Sequence, residues 1–374
     1  VVSNRILAQL IQEIRDTVDE PTSAYFNDRQ IIRLINEGQR IVARDLYSIT
    51  DIVTSSTIAN QQEYLLPDDF IKESNLIFEF GETHRALEEV MLDRLLYPSP
   101  TSGTPEEYAI DLANRKFFLR PTPSANASTT TLNGAHSSTD TIITVTDTSA
   151  FPGSGRIKVD SEIIQYTAKT STTFTGCIRG ADGTIASTHN NGATVTQQNL
   201  FLYYSRLPKE LKRIYVAGTV SVTNGIAIVT GVSTSWSSAT CEAGNYFGIG
   251  SFTPTSASET FPIRWYKISS IDNLTQITLS GVYGESTAIG SNYIISDVTE
   301  LYEAETTLLI LFSLYRLSLK SKDMAKIQIA KAEFEKEMMK AIGRKISPDY
   351  LVVSGKYSHE KSKWLKLPAD YPAI

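Results

Sequence analysis

The chain has 374 residues, 41% of them apolar, a net charge of -6 and two cysteines, which is length enough for two or three domains that each bury a core. The negative balance argues against general coating of nucleic acid, and Cys177 and Cys241, far apart in sequence, read as small buried hydrophobes and not as a disulfide framework. The longest apolar run, Leu308–Phe312, is far short of the roughly 20 residues a bilayer span needs, and Val1–Asp19 mixes charge with helical apolar spacing, which reads against a secretory signal.

A first helix is expected from near Ser3, with Ile6, Leu10, Ile14 and Val18 on one stripe, ending before Glu20-Pro21 because a residue preceding proline leaves the helical region. Asn27 is placed as the N-cap of a second helix, with Gln30 at its third position and Phe26 set to staple onto Ile31. Ile31, Leu34, Ile35, Ile41, Val42 and Leu46 carry that helix onward. Gly38 in its middle costs about 1 kcal/mol relative to alanine, so it marks either a close crossing with another backbone or a tolerated surface glycine. Strands are expected over Thr54–Ile58, Glu63–Leu66 and Asn75–Phe80, with Pro67 fixing a turn and Asp68-Asp69 capping the next segment. Ala86–Tyr97 reads as a short helix. Glu107–Ile110 and Lys116–Leu119 form a strand pair closed by Arg120-Pro121-Thr122-Pro123, and Leu200–Ser205 reads as another apolar strand, assigned to the sheet of the helical host.

Residues 125–300 differ in composition from everything around them: runs of Thr, Ser, Gly and Val with alternating apolar residues favour short strands and tight turns. A first β segment, 125–198, opens on a Ser/Thr/Asn-rich linker, and Ile157 and Val159, then Ile164 and Tyr166, flank a hairpin turn at Asp160-Ser161. A second, 214–296, has Val220 and Val222 leading into Asn224-Gly225 and Ile226 and Ile228 leading out, a strong short-range hairpin signal. Further strands fall at Trp265–Ile268, Gln276–Leu279 and Tyr293–Ile295. Helical spacing returns from Thr299 through Leu319, bends at Ser321–Asp323 and resumes over Met324–Ile342, with Gly343 placed as a C-cap. Arg344–Ile374 has no period, three prolines and a net positive charge. Its aromatic and apolar residues, Tyr350, Leu351, Tyr357, Trp364, Leu367 and Tyr371, read as anchors of an extended arm that orders on a partner.

The fold expected is therefore α+β: a helical-bundle host with a small β-sheet element, interrupted by two all-β insert domains, each a sandwich or partly open barrel. The divisions run 1–124 (host), 125–198 (first insert), 199–213 (host strand), 214–296 (second insert), 297–343 (host helices) and 344–374 (arm).

Chemistry finds little purchase. The adjacent carboxylates Asp68-Asp69, Glu88-Glu89 and Glu106-Glu107 do not suit a glycosidase, whose two carboxyls face one bond across a cleft; turn and helix-start placement explains them. His84, His136, His189 and His359 lie far apart, and none belongs to an HExxH or Cys/His metal spacing. Gly248–Gly250 lacks the lysine and helix of a phosphate loop and reads as turns. Lys356, Lys361, Lys363 and Lys366, interleaved with Tyr357 and Trp364, suit either a nucleic-acid arm or, the reading preferred here, the solubilising spacing of a protein-binding arm. No catalytic, cofactor or metal residue is assigned, and a polysaccharide hydrolase ranks below every non-enzymatic reading.

Several segments, in order, resemble the head-to-tail adaptor proteins of tailed bacteriophages: Asn36-Glu37-Gly38-Gln39-Arg40, Gln62–Phe70, Gly103–Tyr108, Phe118–Pro123, Leu202-Tyr203-Tyr204 and Leu207-Pro208-Lys209-Glu210-Leu211. The first β segment resembles small modules of phage virion proteins through Gly155–Asp160, Glu162–Tyr166, Cys177-Ile178-Arg179-Gly180, Gly183-Thr184, His189 and Gly192-Ala193. The adaptor resemblance implies a structural virion protein, not an enzyme and without cofactor. It implies a ring, usually of twelve subunits, between portal and tail or stopper (nozzle) proteins, around the channel through which DNA passes without sequence-specific binding. A C-terminal arm grips the portal, and the β modules face tail, fibre or capsid proteins. No membrane is involved; the protein assembles in the host cytoplasm and resides at the virion's head-tail junction. The alternative is a tail-associated receptor- or carbohydrate-binding protein that uses its β modules.

Overall fold

The computed structural model describes residues 5–19, 26–96, 101–212, 214–252, 260–321 and 323–345. Among them are five α-helices, α1 (Leu7–Thr17), α2 (Asp28–Leu46), α3 (Leu92–Leu96), α4 (Glu303–Ser318) and α5 (Met324–Lys345), together with several sheets whose pairings are nearly all antiparallel. The fold is mixed α+β. The chain divides into two compact units, one built from the described residues of 1–49 and 208–374, the other Thr50–Leu207.

In the first unit, α1 starts at Leu7. Its opening N–H groups need partners outside the helix, and the end of the strand Tyr293–Ser296 with the residue that follows supplies them: Leu7 N donates to the Asp297 carbonyl at 2.9 Å and Ala8 N to Ser296 Oγ at 3.1 Å. Ser3, where the helix was expected to start, lies outside the described residues. Of the predicted stripe, Ile6, Leu10 and Ile14 are buried and Val18 is half-buried, with Leu7 and Ile11 buried beside them. In α2 the Asn27 side chain accepts from Gln30 N at 2.9 Å, the cap the sequence predicts. The ring of Phe26 lies 4.9 Å from Lys320 Nζ, a cation–π contact.

Gly38 faces α4: a Cβ there would stand 3.0 Å from Phe312 Cδ1 and 3.5 Å from Leu309 Cδ2. Of the two readings of this glycine, the close crossing holds, although a side chain and not a backbone makes the approach. Helix α4 is apolar on most sides, with Leu308, Leu309, Ile310, Phe312 and Leu317 buried, as a helix packed against α1, α2 and α5 must be. A 3-10 turn, Leu319–Ser321, makes the expected bend, and Asp323 Oδ1 then accepts from Ala325 N and Lys326 N to cap α5. Gly343 is not a C-cap. It lies inside α5, which runs on to Lys345, because the Arg and Lys that come after it are good helix formers and outweigh one glycine.

The β part of this unit is one eight-stranded sheet, in the order Ile214–Tyr215, Tyr293–Ser296, Tyr246–Ile249, Tyr266–Asn273, Gln276–Leu279, Ile228–Val232, Thr219–Val222, Ala288–Ser291. Its core gathers Val220, Val229, Trp236, Phe247, Ile277 and Tyr293, with Trp236 Nε1 donating to Tyr293 Oη at 3.1 Å. The hairpin expected at Asn224-Gly225 forms: Ile226 N donates to the Thr223 carbonyl at 3.1 Å across the turn, and Thr219–Val222 pairs with the strand that follows, Val222 opposite Val229. The turn is also tied to another segment, Gly225 N donating to the Tyr283 carbonyl and Asn224 Nδ2 to the Glu285 carbonyl, both at 2.8 Å. Gly248 is no turn but part of a strand, where a Cβ would meet Pro262 Cβ at 2.6 Å.

In the second unit, one four-stranded sheet runs Thr50–Ser55, Leu200–Arg206, Phe70–Phe80, Thr83–Ala86, and another Glu63–Leu65, Lys116–Arg120, Glu107–Asp111, Glu88–Glu89. They share a core of Tyr64, Leu76, Phe78, Phe117, Leu119 and Leu202. The helix expected over Ala86–Tyr97 is confined to α3: Ile77 pairs with Ala86, and Glu88-Glu89 lie parallel to Glu107-Tyr108, so strand partners claim the first half of that segment. Residues 129–198 form a five-stranded sheet and a three-stranded one around Ile143, Phe151, Ile157, Ile164, Tyr166 and Phe174. The expected linker at its start contains a strand, Thr129–Thr131, paired with Thr194–Thr196; β-branched threonines fit a pleated surface as readily as a loop. The hairpin at Asp160-Ser161 forms as expected, with Ile157 opposite Ile164 and Val159 opposite Glu162.

Candidate functional site

The segments that carry the adaptor resemblance bond to one another. In the first unit, Asn36 Nδ2 donates to the Leu211 carbonyl at 2.7 Å, and Leu211 N returns a bond to Asn36 Oδ1 at 2.9 Å. Gln39 Nε2 donates to the Lys209 carbonyl at 2.8 Å, and Arg40 pairs with Glu210 at 3.4 Å. Both amides are almost fully buried, so they replace water for a segment that belongs to no helix or strand.

In the second unit, Tyr64 stacks on Phe117 with centroids 5.2 Å apart, and Tyr204 Oη donates to Asp69 Oδ1 at 3.1 Å. Leu207 N donates to the Asp69 carbonyl at 2.7 Å, Glu106 N to that of Arg120 at 2.8 Å.

The first β module's matching residues converge on Glu162, which is fully buried. Arg179 makes a two-pronged ion pair to it at 2.8 Å through Nε and Nη2, Gly180 N donates at 2.8 Å and Ser187 N at 3.0 Å, and His189 Nε2 lies 2.8 Å away. Burial alone would push this carboxyl up; the bonds from Arg179, Ser187, Gly180 and His189 outweigh it and hold the pKa down to about 2. The other ring nitrogen of His189 faces Asp160 at 2.7 Å. His136 and His189, separated in sequence, exchange backbone bonds of 2.9 Å, and the His136 ring accepts from Thr144 N while facing Asp140. These contacts lock loops together; they gather no open coordination position. Sequence reasoning treated the two histidines as unrelated and overlooked Glu162. The signal was present: alternation that turns Ile164 and Tyr166 inward turns Glu162 inward too.

The adjacent carboxylates do not converge on a common point. Asp68 pairs with Arg115, Glu106 with Arg85 and Glu107 with Arg94. Beside Glu89, the carboxyl of Glu73 is raised, by burial first and by the neighbouring Glu89 charge as well. Cys177 and Cys241 are both buried thiols, and burial pushes that of Cys177 up to about 11. No group of three His, Cys, Asp or Glu side chains among the described residues is placed to hold a metal, and none of their helices is long and apolar enough to cross a membrane. His359, the four tail lysines and the arm anchors Tyr350, Leu351, Tyr357, Trp364, Leu367 and Tyr371 lie outside the described residues.

Residues 6–163 match a phage head-tail adaptor family. The matching family model is the one described as SU10 adaptor protein, so the resemblance carried by Asn36–Arg40, Gln62–Phe70, Gly103–Tyr108 and Phe118–Pro123 holds over that stretch. The match also runs into the first β segment, whereas Leu202–Tyr204 and Leu207–Leu211 fall beyond it. That family is one of structural proteins, and the matched stretch takes in less than half of the chain. A search of the curated proteins returned no match.

Proposed function

We propose that the chain is a head-to-tail adaptor that assembles, as a ring of about twelve copies, between portal and tail or stopper proteins around the DNA channel. The observation that carries this reading is the adaptor-family match over residues 6–163, supported by the bonding of Asn36–Arg40 to Lys209–Leu211. In this reading α1, α2, α4 and α5 form the ring-building host together with the sheet around Leu200–Arg206. Residues 125–198 and 214–296 are two all-β insert domains facing tail, fibre or capsid proteins. Residues 344–374 form the arm, with Tyr350, Leu351, Tyr357, Trp364, Leu367 and Tyr371 as its portal anchors. DNA passes through without sequence-specific binding, and the protein makes and breaks no bond.

A chain ending at Lys345 keeps the whole of α5. It is expected to fold with an unchanged circular dichroism spectrum and melting profile, yet to lose co-sedimentation with purified portal. Normal portal binding by the shortened chain would remove the arm from the mechanism.

A further inference from the structure

In the unit Thr50–Leu207, a cleft of about 340 Å³ opens between the sheet strands that carry Glu79, His84 and Tyr203 and the hairpin that carries Arg156 and Gln165. Glu79 is only 2% exposed. Its Oε2 accepts one long bond, 3.3 Å, from Gln197 Nε2, while Oε1 accepts none among the described residues and has only His84 Nε2 at 3.7 Å. A buried carboxylate is normally saturated with donors, and Glu162 in the same unit shows what saturation looks like. Burial pushes the Glu79 carboxyl up, the mark of an anion short of partners.

The rest of the lining narrows the ligand. Arg156 lies beside Asp182 at 3.0 Å and over the Phe201 ring at 5.4 Å, although its Nε makes no hydrogen bond among the described residues. The Gln165 amide and the Tyr203 hydroxyl make no hydrogen bond among the described residues, and the Tyr203 side chain is 38% exposed. Gly155 keeps the floor clear, since a Cβ there would stand 3.3 Å from Tyr166 Oη and 3.6 Å from Glu79 Oε1. An anion would meet the carboxylate of Glu79, and a cation would meet Arg156 and His84. A neutral ligand rich in hydroxyls avoids both penalties: hydroxyls donate to Glu79 Oε1, the Gln165 amide donates and accepts, and C–H faces pack on Tyr203.

We propose that this cleft binds a neutral saccharide, a hexose unit of a short glycan, with Glu79 as hydroxyl acceptor and Tyr203 as stacking platform. The proposal goes beyond the adaptor reading and does not depend on it. The full chain is applied to an array of neutral mono- to tetrasaccharides, and each glycan retained is titrated calorimetrically against the wild type, Glu79→Gln and Tyr203→Ala. At least one neutral glycan is expected to bind, and each variant to weaken it by about ten-fold or more, the scale of losing one charge-assisted hydrogen bond or one ring contact, with the thermal midpoint unchanged. Absence of any retained glycan, or binding that both variants leave intact, overturns the proposal. So does tighter binding at this cleft of a lysine-rich peptide, such as one spanning residues 344–374, which would make the occupant cationic.

Discussion

Glu162 receives hydrogen bonds from Arg179 and Gly180, on the strand paired beside its own, and from Ser187 and His189 in the segment that follows that strand. The carboxyl's pKa is depressed from 4.5 to about 2, so the folded state favours the charged form. Its contribution, about 3 kcal/mol, is present in full above about pH 4.5 and is lost as the pH falls toward 2. In Glu162→Gln the guanidinium of Arg179 stays buried without its counter-charge, and a loss of about 3 kcal/mol or more is expected in urea unfolding at pH 7. The difference between wild type and variant should shrink as the pH is lowered through that window; a difference that stays constant from pH 7 to 2 would remove the linkage.

Gly38 offers a second residue-scale check. Valine there adds atoms where Phe312 already stands 3.0 Å from a Cβ, so Gly38→Val should cost about 1–3 kcal/mol through overpacking despite removing a glycine from a helix. The sequence located this glycine and offered two readings; only the opposing helix decides between them.

At the scale of elements, the segment Lys209–Leu211 is held by side chains of α2 and not by a sheet. Asn36→Ala deletes both bonds to Leu211 and should destabilise the fold by about 1–3 kcal/mol, because it leaves a buried N–H and a buried carbonyl unpaired. Hydrogen exchange at the Leu211 amide should accelerate more than at the amides of α2; equal acceleration everywhere would mean that the bond is incidental.

Elements fixed by local rules were legible. Asn27 caps α2, Glu107–Asp111 pairs with Lys116–Arg120, and the Asp160-Ser161 hairpin closes in the expected register. Those decided by distant partners were not. Ala86–Glu89, the first part of the helix expected over Ala86–Tyr97, is claimed by two strands, one of them in a parallel pairing. The Asn224-Gly225 turn forms as local rules require, but nothing local reveals the bonds that tie it to the segment 283–287. Of the buried charge cluster, alternation exposes Glu162, but nothing local to Arg179 or His189 reveals that they meet it.

For the molecule as a whole, chain order and compact units part company. The first unit joins the N-terminal helices to residues beyond Pro208, so 50–207 leaves and returns to it at Ile49 and Pro208, a longer excursion than composition alone marks out at 125–198. Composition finds where β-rich chain begins, whereas a unit boundary follows packing; the strands Thr50–Arg120 therefore group with the first β segment. The adaptor-family match crosses this division at Ile49-Thr50, so it takes in residues of both units.

Electron-microscope imaging of the purified full-length chain, alone and mixed with its portal, tests the central claim directly. Annular particles of uniform diameter, docked coaxially on the portal and centred on an open channel, are the predicted result. Single copies that remain dispersed beside undecorated portals at concentrations sufficient for assembly would contradict it.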